Sequence, residues 1–279
     1  MAARIEIASE AGACYGVERA LRMVEDAAKT STVPVHTLGP LIHNPRVVDD
    51  LAAKGVTVVV SPEESAGDTL LLRTHGVTPE EERRARELCH DVLDATCPFV
   101  KKVHLAASRL YREGYQVVVV GEAGHPEVEA TLPHAPGAVV VGDVSKAEEL
   151  PFCKKIGVVV QTTQSRSNLQ HVVSALLDRA EEVRVVNTIC DATSGHQGAC
   201  AELAARADVM IVIGGRISAN TKRLAEIAAE LCPRTYHIEG ADELDPSWLV
   251  GAGLIGITAG ASTPASQIDA VRRAIEAAI

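Results

Sequence analysis

Three cysteines, Cys14, Cys97 and Cys190, each stand directly before an amphipathic helical stretch: "CYGVERALRMVEDAA", "CPFVKKVHLAASRLYREG" and "CDATSGHQGACAELAARA". Free N–H groups and the helix dipole at such a position favour the thiolate, the form that binds metals. Pro98, right after Cys97, suits a first helical residue. Cys97 follows Cys14 by 83 residues and Cys190 follows Cys97 by 93, so the close-spaced C-x2-C pairs of a closed zinc site are absent. Three single thiols suit zinc or an iron–sulfur cluster. A three-thiol set leaves one metal corner without a protein ligand, which catalysis at a metal requires. Cys89, Cys153, Cys200 and Cys232 break the pattern, lie in helical or pre-strand stretches and read as structural. Seven cysteines, an odd number, with no export signal argue for free thiols, a metal or a redox role rather than disulfides.

Polar residues recur at matching distances after these thiols. His43 lies 29 residues after Cys14, His125 lies 28 after Cys97, and Ser218 lies 28 after Cys190. A second set of strand-end turns carries His75, Thr162 and Ser262, and Asn220 follows Ser218 by two. Imidazole, hydroxyl and amide groups donate hydrogen bonds, and a protonated histidine adds charge suited to phosphate oxygens. Gly214, Gly215 and Gly260 would let backbone approach a ligand closely. In "GHPEVEAT", Glu127 shares a turn with His125. It reads either as a proton donor in a dry pocket or as a first-turn carboxylate favoured by the helix dipole. Glu129 reads as an ordinary start-of-helix acid.

The elements that position these groups alternate along the chain. Continuous apolar runs such as "VTVVV", "TLLLRT", "YQVVVVG", "AVVVG", "IGVVVQT", "DVMIVIGG" and "GLIGITAG" predict parallel strands covered on both faces, joined by helices. The expected fold is α/β: three similar small domains with parallel sheets, arranged about a pseudo-threefold axis. The expected units are 15–97, 98–189 and 190–279, the last completed by the N-terminal segment 1–14 with its strand "RIEIAS". Open parallel sheets bind ligands beyond their C-terminal strand ends, so the six polar turns would face one cavity. Of the 279 residues, 47% are hydrophobic and 3% aromatic, with a net charge of −10. That charge argues against a broad nucleic-acid surface and leaves an anionic small molecule possible where donors cluster locally. No signal peptide or apolar span of about 20 residues is present, so the expectation is a cytoplasmic protein without membrane association. No P-loop, G-x-G-x-x-G or G-x-S-x-G occurs.

The motifs "CYGVERA", "LGPLIHNPRVVDDL", "RTHGV", "DATCPFV", "GHPEVEAT", "QTTQS", "TICDAT", "GGRISANTKRL" and "ITAGASTP" run in order over roughly residues 5–268. In these the chain resembles the 4-hydroxy-3-methylbut-2-enyl diphosphate reductase family, which closes the non-mevalonate isoprenoid pathway. The resemblance implies a trefoil of three α/β domains around a [4Fe-4S] cluster held by Cys14, Cys97 and Cys190. It implies diphosphate and hydroxyl contacts from His43, His75, His125, Thr162, Ser218, Asn220 and Ser262, with Glu127 delivering protons. The substrate hydroxyl would meet the open iron, electrons would come from a donor such as a ferredoxin or flavodoxin, and isopentenyl and dimethylallyl diphosphate would form. Ala219 stands at a substrate-binding position where the family commonly has a second serine; His196 replaces a common arginine and Ala13 a common aromatic. These departures bear on affinity, not on the reaction class. Rival readings are a cluster-based redox or oxygen sensor that binds a diphosphate without turnover, and a zinc-stabilised structural protein.

Overall fold

Val, Ile and Leu runs without alternation mark strands buried on both faces. The computed structural model describes residues 3–279 and places each of these runs in a parallel sheet. Strand β1 (Arg4–Ile7) leads to helix α1 (Tyr15–Thr30). Next come β2 (Val35–Leu38), α2 (Pro45–Ala53), β3 (Val56–Val59), β4 (Thr69–Leu72), α3 (Pro79–Leu88) and β5 (Asp91–Asp94). The chain continues through α4 (Pro98–Arg112), β6 (Gln116–Val120), α5 (Pro126–Thr131), β7 (Val139–Val141), α6 (Val144–Glu148), β8 (Cys153–Val160), α7 (Arg166–Leu176) and β9 (Ala180–Val185). It closes with α8 (Asp191–Ala204), β10 (Val209–Ile213), α9 (Ala219–Leu231), β11 (Thr235–Ile238), β12 (Leu254–Ala259) and α10 (Ala265–Ala278).

Three four-stranded sheets result, ordered β3-β2-β4-β5, β7-β6-β8-β9 and β11-β10-β12-β1. Each has one plan: its first strand crosses to one edge, and the chain then returns to the other side for the third and fourth. In the last sheet β1, from the other end of the sequence, takes the fourth place, pairing Ile5 with Ile255 and Ile7 with Ile257. The direction of winding therefore reverses between β2 and β4, between β6 and β8, and between β10 and β12. Ligands of such sheets bind at that reversal, beyond the carboxyl ends.

The described residues fall into two compact units. One comprises the chain through Val17, His43–Val48 and Asp191–Ile279; the other comprises Glu18–Ile42 and Asp49–Cys190. In the first, Ile211, Ile213 and Ile257 pack on Val271 and Ile275 of α10, and the opposite sheet face packs on Leu203 of α8 and Leu224 of α9. In the second, Val118, Val120, Val158 and Val160 meet Leu169, Val172 and Leu176 of α7. The other face of that sheet, with Val117, Val119 and Val159, meets Val103 and Leu110 of α4. Each such buried aliphatic stabilises by about 1.5–3 kcal/mol. The approach of α4 and α8 to their sheets needs a glycine in the third strand. A Cβ on Gly157 would lie 3.1 Å from Leu110, and one on Gly256 would lie 2.9 Å from Leu203.

Beyond the quoted runs, β2 ("VHTL"), β5 ("DVLD"), β9 ("AEEVRV") and β11 ("TYHI") also form; β5, β9 and β11 are edge strands interrupted by polar residues, so they carry no continuous apolar signal.

Candidate functional site

Each of the three cysteines follows the fourth strand of a sheet, and its amide is tied to the turn after the third. Cys97 N donates to Thr74 O (3.0 Å), Cys190 N to Thr162 O (3.2 Å) and Cys14 N to Ala261 O (3.0 Å). This tie brings each thiol to the winding reversal of its own sheet. The same tie makes Thr162 equivalent to Thr74 and Ala261, with His75 and Ser262 one residue further round. Local polar groups set the approach to the thiols. Asp94 Oδ1 accepts from Thr96 N (2.9 Å), and Arg19 donates to the carbonyls of Asp94 (3.1 Å) and Thr96 (3.4 Å), which fixes the strand end before Cys97. Asn187 Oδ1 accepts from Ile189 N (3.2 Å) in the same way before Cys190. Cys14, Cys97 and Cys190 are half-buried; Cys200 and Cys232 are buried. Burial pushes the Cys200 thiol up to about 11, as expected of an inert core residue.

The second unit gathers His75, His125, Glu127 and Thr162. The His75 and His125 rings stand edge to face with centroids 5.6 Å apart. His125 caps α5, its Nδ1 accepting from Glu127 N (3.1 Å), which leaves Nε2 as the N–H donor. Glu127 is 2% exposed. Its carboxylate accepts from Thr162 N at 2.6 Å and Thr162 Oγ1 at 2.7 Å. Desolvation outweighs those two donors and raises the Glu127 pKa to about 7. Glu129 is exposed and takes the Gly124 amide, an ordinary helix-start role. The turn carrying His75 closes by Gly76 N donating to Arg73 O (3.1 Å) and Arg73 Nε donating to Gly76 O (3.1 Å). Thr74 Oγ1 adds a bond to Leu41 O (2.8 Å). Gly76 has φ +80°, and a Cβ there would lie 2.9 Å from the buried His104 ring, so the turn requires glycine.

The first unit gathers His43, Ser218, Ala219, Asn220 and Ser262. The loop bearing His43 lies against the third sheet: Ser262 Oγ donates to His43 O (3.3 Å), and Asn44 Nδ2 to Ser262 O (2.9 Å). A Cβ on Gly215 would come within 2.4 Å of His43 O, so glycine there makes the approach possible. Ser218 caps α9 by accepting from Thr221 N (3.3 Å), and its hydroxyl proton remains a donor. Asn220 is 3% exposed, yet neither its amide nitrogen nor its oxygen has a hydrogen-bond partner. An orphaned buried amide costs about 1–3 kcal/mol, and its place at the β10–β12 reversal fits a ligand rich in oxygen. Ala219 presents only a buried methyl. Burial holds the His196 pKa below the ordinary value, against the opposing charge of Glu10. Arg19, Asp94 and Arg73 were not among the sequence candidates. The signal for Arg73 was a single cation ending the apolar run "TLLLR".

Residues 5–276 match the family model described as LytB protein. A Geobacter metallireducens protein named 4-hydroxy-3-methylbut-2-enyl diphosphate reductase is 50% identical over 268 residues, 96% of this chain and 95% of that protein. An Aquifex aeolicus protein of the same name is 46% identical over 276 residues, 98% of this chain and 96% of that one. A solved structure of (E)-4-hydroxy-3-methyl-but-2-enyl diphosphate reductase, described as the terminal enzyme of the non-mevalonate pathway, is 45% identical, with TM-score 0.71, covering 98% of this chain and 99% of its own. The Plasmodium falciparum E-1-hydroxy-2-methyl-but-2-enyl-4-diphosphate reductase is 27% identical, with TM-score 0.91, covering 96% of this chain and 86% of its own.

Proposed function

The chain belongs to the LytB protein family, and we propose from that premise that it reductively removes the hydroxyl of (E)-4-hydroxy-3-methylbut-2-enyl diphosphate. Two electrons and two protons enter, the allylic C–O bond breaks, the oxygen leaves as water, and a C–H bond forms to give isopentenyl and dimethylallyl diphosphate. The observation that carries this reading is Glu127, a buried acid of raised pKa held by Thr162 beside two histidines. A carboxyl group with a pKa near the working pH is suited to give up a proton at the reacting atoms.

Cys14, Cys97 and Cys190 are the proposed ligands of a [4Fe-4S] cluster. The donor set fits that group: three cysteines, each presented at a sheet's winding reversal through an equivalent backbone tie. Such a cluster supplies electrons singly and a Lewis-acidic iron corner lacking a protein ligand. His43, His75, Ser218, Asn220 and Ser262 are proposed to donate to the diphosphate, with Ala219 contributing packing alone. His125 offers its Nε2–H at the reacting end. Thr162 orients the Glu127 carboxyl through its amide and hydroxyl, so the acid's proton points at one place. The repeat units 15–97, 98–189 and 190–279 with 1–14, arranged as a trefoil about the cluster, are proposed on the shared sheet plan. A ferredoxin or flavodoxin donor and a cytoplasmic setting complete the proposal; among the described residues no helix is long and apolar enough to cross a membrane.

The test is an anaerobic assay of purified protein with the hydroxylated diphosphate and a reduced viologen dye. Dye oxidation with appearance of the two diphosphates is expected. A brown, iron-loaded protein that binds the substrate without turnover would instead establish the sensor reading, and a colourless zinc protein would remove both.

A further inference from the structure

Arg73 directly follows β4 and begins the turn that holds His75, at the reversal between β2 and β4. Its side chain is half-buried. Nε donates to Gly76 O at 3.1 Å. Among the described residues the guanidinium makes no ion pair, and its side-chain hydrogen bond is the one from Nε. The acid whose charge it feels, Glu81, is engaged in capping α3, accepting from Thr78 N at 2.7 Å. Space for the guanidinium is built in: Gly39, at the end of β2 with φ +70°, would place a Cβ only 2.5 Å from Arg73 Nη1.

A guanidinium keeps its proton, so a half-buried one without an ion pair is a charge that an anion can join favourably. Desolvation accordingly holds the Arg73 pKa below its ordinary value. The planar fork of its terminal nitrogens matches the oxygens of a phosphate group, pairing two bonds at once. We propose that Arg73 is a further ligand of the substrate's diphosphate, acting beside His75. The inference rests on the function proposed above and adds a permanent cation to the proposed set of donors.

The experiment measures binding of inorganic diphosphate, of the allylic diphosphate and of the corresponding alcohol to the anaerobic holoprotein, for wild type, Arg73→Gln and Arg73→Lys. Arg73→Gln should bind both diphosphates at least tenfold more weakly and the alcohol as wild type does. Arg73→Lys keeps the charge but loses the fork and should show a several-fold loss for the diphosphates alone. Wild-type diphosphate affinity in either variant overturns the proposal, as does an equal loss for the alcohol, which marks a structural arginine. If Arg73→Gln fails to fold, the lysine variant alone decides by the same criterion. A wild-type protein that binds inorganic diphosphate without turning over the allylic one refutes the proposed function, and the Arg73 comparison still reads out on inorganic diphosphate.

Discussion

Replacing Glu127 by Gln separates a proton donor from a helix-start acid, and the structure sets both magnitudes. The amide keeps the carboxyl's shape, and its hydrogen bonds survive: Thr162 N still meets an oxygen, while Thr162 Oγ1, a hydroxyl, changes from donor to acceptor. What disappears is the titratable proton. Glu127 moves from its ordinary value of 4.5 to about 7 on folding, so the folded state holds the proton more tightly than the unfolded chain. Stability from this group is therefore complete below pH 4.5 and is lost as pH rises through 7. At 1.36 kcal/mol per tenfold change in proton affinity the loss is about 3 kcal/mol in all. By linkage about 2 kcal/mol of it falls between pH 5.5 and 8.5. Denaturant titrations of wild type and Glu127→Gln at those two pH values should differ in slope with pH by that amount, the variant gaining relative stability at high pH. Turnover should meanwhile fall by about 10²-fold or more, with substrate binding and iron content retained. An ordinary first-turn carboxylate would give a stability change of about 0.3–1 kcal/mol and near-normal rates. That result would refute the proton-donor argument.

Four other outcomes are expected. Single Cys→Ser changes at Cys14, Cys97 or Cys190 should abolish or severely deplete iron and sulfide, whereas the same change at Cys89, Cys153, Cys200 or Cys232 should leave both near wild type by chemical analysis. Thr162→Val removes a hydrogen bond that favours the ionised acid. The fall of turnover on the alkaline side should then shift to higher pH in a pH–rate profile. Asn220→Ala removes an amide with no protein partner. Its stability should stay within about 1 kcal/mol of wild type, while diphosphate affinity drops by about 1.5–3 kcal/mol in binding measurements. Gly76→Ala forces a side chain onto a positive φ and against His104, and should cost about 2 kcal/mol or more in denaturant unfolding.

Composition and periodicity alone determined the α/β class and the apolar central strands, because a strand covered on both faces must be apolar at every position. Cys-then-helix spacing likewise marked Cys14, Cys97 and Cys190, since a thiol before a helix start is a local arrangement. The edge strands β9 and β11 were not legible: β9 exposes three of its residues and β11 is half-buried, so neither follows a continuous apolar rule. Sequence placed His75, Thr162 and Ser262 in corresponding turns, and the backbone bonds from the three cysteine amides make Thr74, Thr162 and Ala261 the equivalent positions. Only folding decided the state of Glu127. Its neighbours in sequence allow a solvated helix-start acid; Thr162, contributed 35 residues later by the turn after β8, meets it in a buried place where water is excluded. Arg73 is the same case with opposite charge, since whether a cation lacks a counter-ion depends on what the tertiary structure packs around it. Charge costs are set by burial and by partners distant in sequence, and a local pattern of residues encodes neither.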